Sequence, residues 1–364
     1  MTNTPIKNRR RQSGIALLVV MMLSAIIIPF AAEFAYQIAL EYTTAFNVSD
    51  QLAIDNAIES QYQIVLARLE HDGQGNQTDT YDDVWADEEL RSRTDEDTGV
   101  SLSTTPFDEQ GKFNVHILAE ASAARKPIWK ERLTELIKWY RNDTKFDASS
   151  YAEEVSDAIF RWVNGQTSRG SVPKPNTSSD RAMLVLEELH FVSDLFEKHR
   201  LLEDIREGEE VAPGLHRFLT VYGDGKINLN TAPKAVLQGV FNKDPDLAAR
   251  IIERRQGEGE DSESSDEDDQ GSGNPFSDPN QILEVEGMDQ TRLVANKVIP
   301  ADDFTVRSNY FSVRIAAQKE QSRREELFIV ERVPGNDPNG PIEGFRHLLC
   351  QERTDTLEEL PDEE

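Results

Sequence analysis

The chain has 364 residues, 67 of them acidic against 39 basic, for a formal charge of −28. That balance argues against nucleic acid and against anionic lipid surfaces as partners, since both repel a polyanion. A single cysteine, Cys350, excludes an internal disulfide framework, so stability has to come from apolar cores, and the length is enough for two domains of ordinary size.

Four cations (Lys7, Arg9, Arg10, Arg11) and no anion precede Gly14, and an uncharged run of 18 residues, Ile15–Ala32, follows it. As a helix at about 1.5 Å per residue the run spans about 27 Å, close to the ~30 Å hydrocarbon core of a bilayer. The cations place the head in the cytoplasm and everything after Glu33 on the far side of the membrane. Two bland readings of this segment stay open: a secretory signal cut near Ala31–Ala35, for which the apolar run is long, and a plain membrane anchor. From Tyr36 to Leu66 apolar and polar positions mix, with no Pro or Gly between Pro29 and Gly73. One helix of about 50 residues is predicted, apolar in its first half and amphipathic in its second.

Residues 68–100 are polar and acidic and predict a loop. Val100–Ser103 and Gly111–Leu118 alternate, which predicts two strands with a turn over Phe107–Gly111. Helical stripes follow. Trp129, Leu133, Leu136, Ile137 and Tyr140 share one face, and Tyr151, Val155, Ile159, Trp162 and Val163 another. Ser178–Asp180 can cap a third helix carrying Leu184, Leu186, Leu189, Val192 and Phe196. All three stripes read as core.

The run Lys226-Ile-Asn-Leu-Asn-Thr-Ala-Pro233, followed by Ala248–Arg255, Pro275–Asp278 and Ile282–Gly287, resembles a helix-hairpin-helix or SAM-like module. DNA-binding relatives of that module also open with Asn-x-Asn-Thr-Ala. They need glycine hairpins whose amides approach phosphates, and here Phe241–Asp246 and Glu286–Asp289 stand in those places. The expectation is the scaffold without nucleic-acid binding. Between these elements Glu258–Asp269 holds eight acidic residues in twelve, which predicts a solvated loop without the spaced oxygen pattern of a calcium loop. Asp302–Ala316 and Glu326–Arg332 then alternate as neighbouring strands.

Catalysis finds no motif. The six histidines (His71, His116, His190, His199, His216, His347) show no metal-ligand spacing, and no nucleophile elbow, phosphate loop or dinucleotide fingerprint occurs. The chain reads as no enzyme. Two rivals remain from other classes: a membrane-anchored DNA-binding or uptake protein using the Asn-x-Asn-Thr-Ala module, and a signal-anchored periplasmic enzyme.

The cationic head, Gly14, the apolar helix and the amphipathic stem resemble the signal of type IV pilins and pseudopilins. The resemblance implies that a prepilin peptidase cuts between Gly14 and Ile15, that Ile15 becomes the N-methylated first residue, and that the mature charge is −32 once the four leader cations leave. Most members carry Glu at the fifth mature position, where this chain has Val19; in the family that Glu is thought to neutralise the amine of the subunit above, so Val19 suits a filament tip. Ala158–Asn164, Leu186–Val192, Asn228–Pro233 and Ser308–Phe311, in this order, are similar to general secretion pathway protein K, the family of large minor pseudopilins of type II secretion. The likeness runs over about residues 9 to 335. Arg161-Trp-Val-Asn164, where the family shows Asp-Trp-x-Asp, and the acidic insertion depart from it, so no calcium ligand is assigned.

The resulting expectation is an α+β chain. Residues 1–14 form a cleaved cytoplasmic leader, 15–69 the transmembrane and stem helix, and 70–118 the first part of a pseudopilin α/β body with an antiparallel sheet. An inserted helical domain takes 119–300, with a disordered acidic loop at 256–274; 301–335 give the last strands of the body, and 336–364 an acidic tail. The resemblance further implies assembly with other minor pseudopilins and the major pseudopilin at the tip of a periplasmic pseudopilus. It also implies processing by prepilin peptidase and an inner-membrane anchor in a Gram-negative bacterium; no cofactor is assigned, structural calcium being the one candidate.

Overall fold

The computed structural model describes residues 10–165, 183–208, 210–257, 274–320, 322–335 and 342–353. Helix α1 (Arg10–Gly75) is a continuous rod of 66 residues. It passes through Pro29, whose lost backbone bond is tolerated in an apolar helix. Its first part stands free; from Asp50 onward one face is buried.

Strands β1 (Arg93–Asp95) and β2 (Val100–Asp108) follow the loop after α1. The chain then leaves the sheet. It makes β3 (Phe113–Asn114), α2 (Ile117–Glu120), α3 (Lys126–Trp139), α4 (Ala152–Val163), α5 (Leu189–Val192) and α6 (Leu195–Lys198). Next come β4 (Ile205–Glu207), β5 (Glu210–Ala212), β6 (Leu219–Thr220), β7 (Ile227–Asn228), α7 (Lys234–Val240) and α8 (Asp246–Gln256). After α9 (Gln290–Ala295), α10 (Pro300–Asp303) and β8 (Phe304–Thr305) the chain returns. It ends in β9 (Tyr310–Lys319), β10 (Ser322–Pro334) and β11 (Ile342–Arg353).

The body is a five-stranded antiparallel sheet in the order β1-β2-β9-β10-β11. Neighbours β2 and β9 pair from Ser101↔Gln318 to Asp108↔Phe311, so everything between them is an insertion at one end of the sheet. Alternation decides the faces. Val100, Leu102, Phe311, Val313, Ile315, Phe328 and Val330 point at Ile54, Ile58, Tyr62, Val65 and Leu69, which recur on one side of α1, with Trp85 closing the core. The helical module has its own larger core around Trp129, Leu133, Leu136, Ile159, Phe196, Leu237, Phe241 and Ile251. Two short parallel pairs, β3 with β6 and β7 with β8, stitch the module where the chain leaves and re-enters the sheet.

The stripes expected on α3 and α4 are buried as their spacing requires. Four local expectations are corrected. Gly111–Leu118 is not a strand of the sheet: only Phe113–Asn114 is extended, because the Asn114 side chain accepts from the His116 amide and turns the chain into α2. The third helix is broken into short pieces, since Glu188 caps the amide of Leu184 and Ser193 is extended between α5 and α6; its cap, Ser178–Asp180, lies outside the described residues. Asp302–Asn309 does not continue β9, because Asp303 is buried at the end of α10 and Phe304–Thr305 pairs with Ile227–Asn228. Part of the expected tail is strand β11, held by ten register pairs to β10, by buried Ile342, and by a 2.7 Å hydrogen bond between Tyr62 Oη and His347 Nδ1. The acidic insertion Glu258–Asp269 lies outside the described residues.

Candidate functional site: a bare helix and a buried polar clasp

Among the described residues α1 is the one helix long and apolar enough to cross a membrane. Gly14 lies within it, next to Ile15 at 68% exposure, and Val19 sits one turn further at 48%. Among the described residues, no part of the body or module covers Ile15–Ser49. A row of large apolar side chains held in the open requires lipid or protein around it.

The second feature sits where the module meets the sheet. Asp108 ends β2 and is 1% exposed. Its Oδ1 accepts the Gln110 amide at 2.8 Å, which starts the single turn Glu109–Gly111. Its Oδ2 accepts from Ser308 Oγ (2.6 Å), Thr231 Oγ1 (2.6 Å) and Asn228 Nδ2 (2.9 Å). Ser308 belongs to the returning chain, and Asn228 and Thr231 belong to the Asn-Leu-Asn-Thr run of the module. One carboxylate therefore ties three segments together. Burial pushes its pKa up, against hydrogen bonds from Ser308, Thr231, Gln110 and Asn228 that favour the anion. Asn230 uses its side chain as a strand would, donating to the Phe276 carbonyl (3.0 Å) and accepting its amide (2.8 Å). The turn packs so closely on the run that a Cβ at Gly111 would stand 2.8 Å from Thr231 Oγ1. Asn228, Asn230 and Thr231 are thus buried and engaged inside the chain, where they hold no phosphate.

A layer below, Asp79 Oδ2 accepts the Ser308 amide (2.7 Å), and its Oδ1 faces Arg332 Nη1 (2.6 Å); Arg332 Nη2 reaches Asp72 Oδ2 (2.7 Å). Burial raises the Asp79 carboxyl to about 7 even beside Arg332, and raises Asp83 to about 6. Carboxylate oxygens of Asp72, Asp79 and Asp83 lie within 4.8 Å of one another, the spacing a cation would need. As disposed they do not fit one. Arg332 takes an oxygen of Asp72 and of Asp79, while Asp83 accepts Asn76 Nδ2 (2.9 Å) and the Thr80 amide (2.7 Å). A hard cation would have to displace a guanidinium that is 1% exposed.

Two of the histidines are tied into local structure. His116 Nε2 meets the Met183 carbonyl at 2.8 Å, and His216 Nδ1 donates to the Leu202 carbonyl at 2.6 Å. Burial drives His216 down to about 4 despite Asp204 beside it, which keeps the ring neutral. The motifs alone do not reveal the Asp108 and Arg332 clasp. A buried carboxylate recruited by residues 120 or more positions away leaves no spacing signal, although the small polar side chains of the Asn-Leu-Asn-Thr run were its visible half.

Residues 227–291, which begin at this run, match the family model described as Type II secretion system (T2SS), protein K. The fold is similar to a chain in the crystal structure of the GspK-GspI-GspJ complex from the enterotoxigenic Escherichia coli Type 2 Secretion System. Identity is 16% and the TM-score 0.56, over 84% of this chain and 98% of that one. Among curated proteins, none matches. The match in sequence covers residues 227–291, and the likeness to the solved chain is one of fold.

Proposed function

We propose that this chain, which resembles general secretion pathway protein K in sequence and fold, is a minor pseudopilin of a type II secretion system. The observation that carries the reading is the continuity of α1: one rod runs uncovered from Ile15 to Ser49 and then becomes the central support of the sheet body from Ile54 on. Such a rod has no use in a soluble monomer. It anchors a body outside the membrane and offers a face to other rods.

In this reading prepilin peptidase cuts between Gly14 and Ile15 in the cytoplasm, and Ile15 is methylated. The apolar helix keeps the subunit in the inner membrane, with the bulk of the chain in the periplasm. The solved neighbour is a chain of a GspK-GspI-GspJ complex, and we extend that kind of partnership to this chain. Its partners are other minor pseudopilins, with the major pseudopilin continuing the filament below. The bulky module at one end of the sheet and the missing carboxylate at Val19 both fit a subunit with nothing above it, so we place it at the tip. The role is assembly, with no reaction catalysed by the chain.

Deletion and complementation test this. A deletion strain should lose export of type II substrates and regain it with the intact chain, but not with Gly14→Glu, whose precursor should stay uncut. Export that survives the deletion, or full rescue by an uncut precursor, contradicts the reading.

A further inference from the structure

We propose that Glu41 is a specificity pin: it admits as stem partner a helix that presents a lysine or arginine to it, and it rejects a second copy of this chain. The inference rests on the pseudopilin reading above and names the chemistry of the partner at the bare stem.

The argument begins with spacing. Phe34, Ile38, Glu41, Ala45, Val48 and Leu52 follow one another at alternating four- and three-residue steps, which is the seam of a two-helix coiled coil. The apolar members are open to a partner: Phe34 is 66% exposed, Ile38 50%, Val48 49% and Leu52 57%. The seam stops where the body takes over, since the next position, Asp55, is paired with Arg324 at 2.7 Å. In the middle of this stripe stands a carboxylate. Glu41 is exposed, and it makes no hydrogen bond or ion pair within the described chain.

Nothing on its own helix neutralises it. The neighbours one turn away are Gln37, Ile38, Thr44 and Ala45, and no cation occurs on α1 between Ile15 and Arg68. The other carboxylate near the membrane, Glu33, differs: it accepts from Gln37 at 3.2 Å, and it lies off the seam. Glu41 lies about 13 Å beyond the end of the apolar run, outside the hydrocarbon, so lipid tails do not cover it. A helix packed on Phe34, Ile38, Val48 and Leu52 must bury Glu41 as well. A buried unpaired carboxylate is strongly disfavoured, so the partner has to supply the counter-charge at that level. Two copies of this chain in parallel register would set Glu41 against Glu41, which selects a different chain. A single polar residue in such a seam fixes register and partner at some cost in stability.

The test uses the full chain, tagged at its C-terminus, co-expressed in membranes with the other pseudopilins of its cell and recovered in detergent. Glu41→Lys, Glu41→Gln and Ile38→Asp are compared; both positions are exposed, so the body folds unchanged. Glu41→Lys and Ile38→Asp should each lower partner recovery more than about tenfold, with Glu41→Gln in between. Changing one stem cation of the recovered partner to Glu should restore binding to Glu41→Lys and not to Ile38→Asp. If Glu41→Lys keeps its partner while Ile38→Asp loses it, or if no stem cation reverses the effect, the pin is overturned and the pseudopilin reading stands. If the unaltered chain recovers no pseudopilin, or Ile38→Asp recovers as much as the unaltered chain does, the reading fails and the pin with it.

Discussion

Asn228 holds Asp108 from across the root of the module, its side-chain amide 2.9 Å from a carboxylate oxygen 120 residues earlier in the chain. The contact joins β7 of the module to the end of β2 in the sheet. It shows what the Asn-x-Asn-Thr-Ala run does here: the polar side chains that suggest a nucleic-acid module are turned inward and fasten it to the body. Loss of one donor to a buried carboxylate costs about 1.5–3 kcal/mol. Asn228→Ala in the detergent-solubilised chain should lower unfolding stability by that amount, and Asp108→Ala, which orphans four donors, by at least as much. Denaturant melts read both; an effect below about 0.5 kcal/mol for either would contradict the clasp.

Arg332 is the cation of the lower layer, 1% exposed between Asp72 and Asp79. Arg332→Met leaves two buried carboxylates without a counter-charge, and stability should fall by about 3–5 kcal/mol. Adding Asp79→Asn to Arg332→Met should recover part of the loss. A double variant no better than Arg332→Met alone would mean that charge is not what Arg332 supplies.

Stability should rise as pH falls from about 8 to about 5. Asp79 and Asp83 have folded-state pKa values near 7 and near 6, above the ordinary carboxylate value, and each binds a proton in the folded chain that it lacks in the unfolded one; His216, held near 4, opposes them below about pH 6.5 with one proton against their two, so the net gain stays with the folded chain. Relief of self-repulsion in a chain of charge −28 acts in the same direction. Below about pH 4.5 the trend should reverse as carboxylates held low, such as Glu109 beside Lys112, Thr220 and Ser312, are protonated. A melting curve followed across pH checks this, and Asp83→Asn should flatten the slope between pH 5 and pH 7.

Much of this fold could be read from residues. The unbroken pattern after Pro29 announces α1, and the steps of Trp129, Leu133, Leu136 and Ile137 announce α3, because a helix against a core repeats its apolar face within a few residues. What failed were short segments decided by one side chain. Asn114 turns an alternating run into a helix, and Ser193 breaks a periodic one. The tail misled for a different reason: mixed charges along Ile342–Arg353 mark an edge strand, and composition alone reads them as an acidic tail. The Asp108 clasp was hidden because its members converge only in space.

Calcium should leave the melting temperature unchanged, because Arg332 holds the carboxylates of Asp72 and Asp79 as an ion-pair cluster. Melts with excess calcium and with a chelator decide it. A rise of several degrees with calcium, lost in Asp83→Asn, would mean that a cation displaces Arg332 there and that the cluster is a metal site after all.

The central claim is that the helix beginning at Ile15 is a pseudopilin stem. Intact mass and N-terminal sequence of the chain purified from membranes of cells with active prepilin peptidase test it most directly. The account predicts a mature chain that begins at N-methylated Ile15, with residues 1–14 gone. A chain that begins near Glu33, or one that retains Met1, would contradict it.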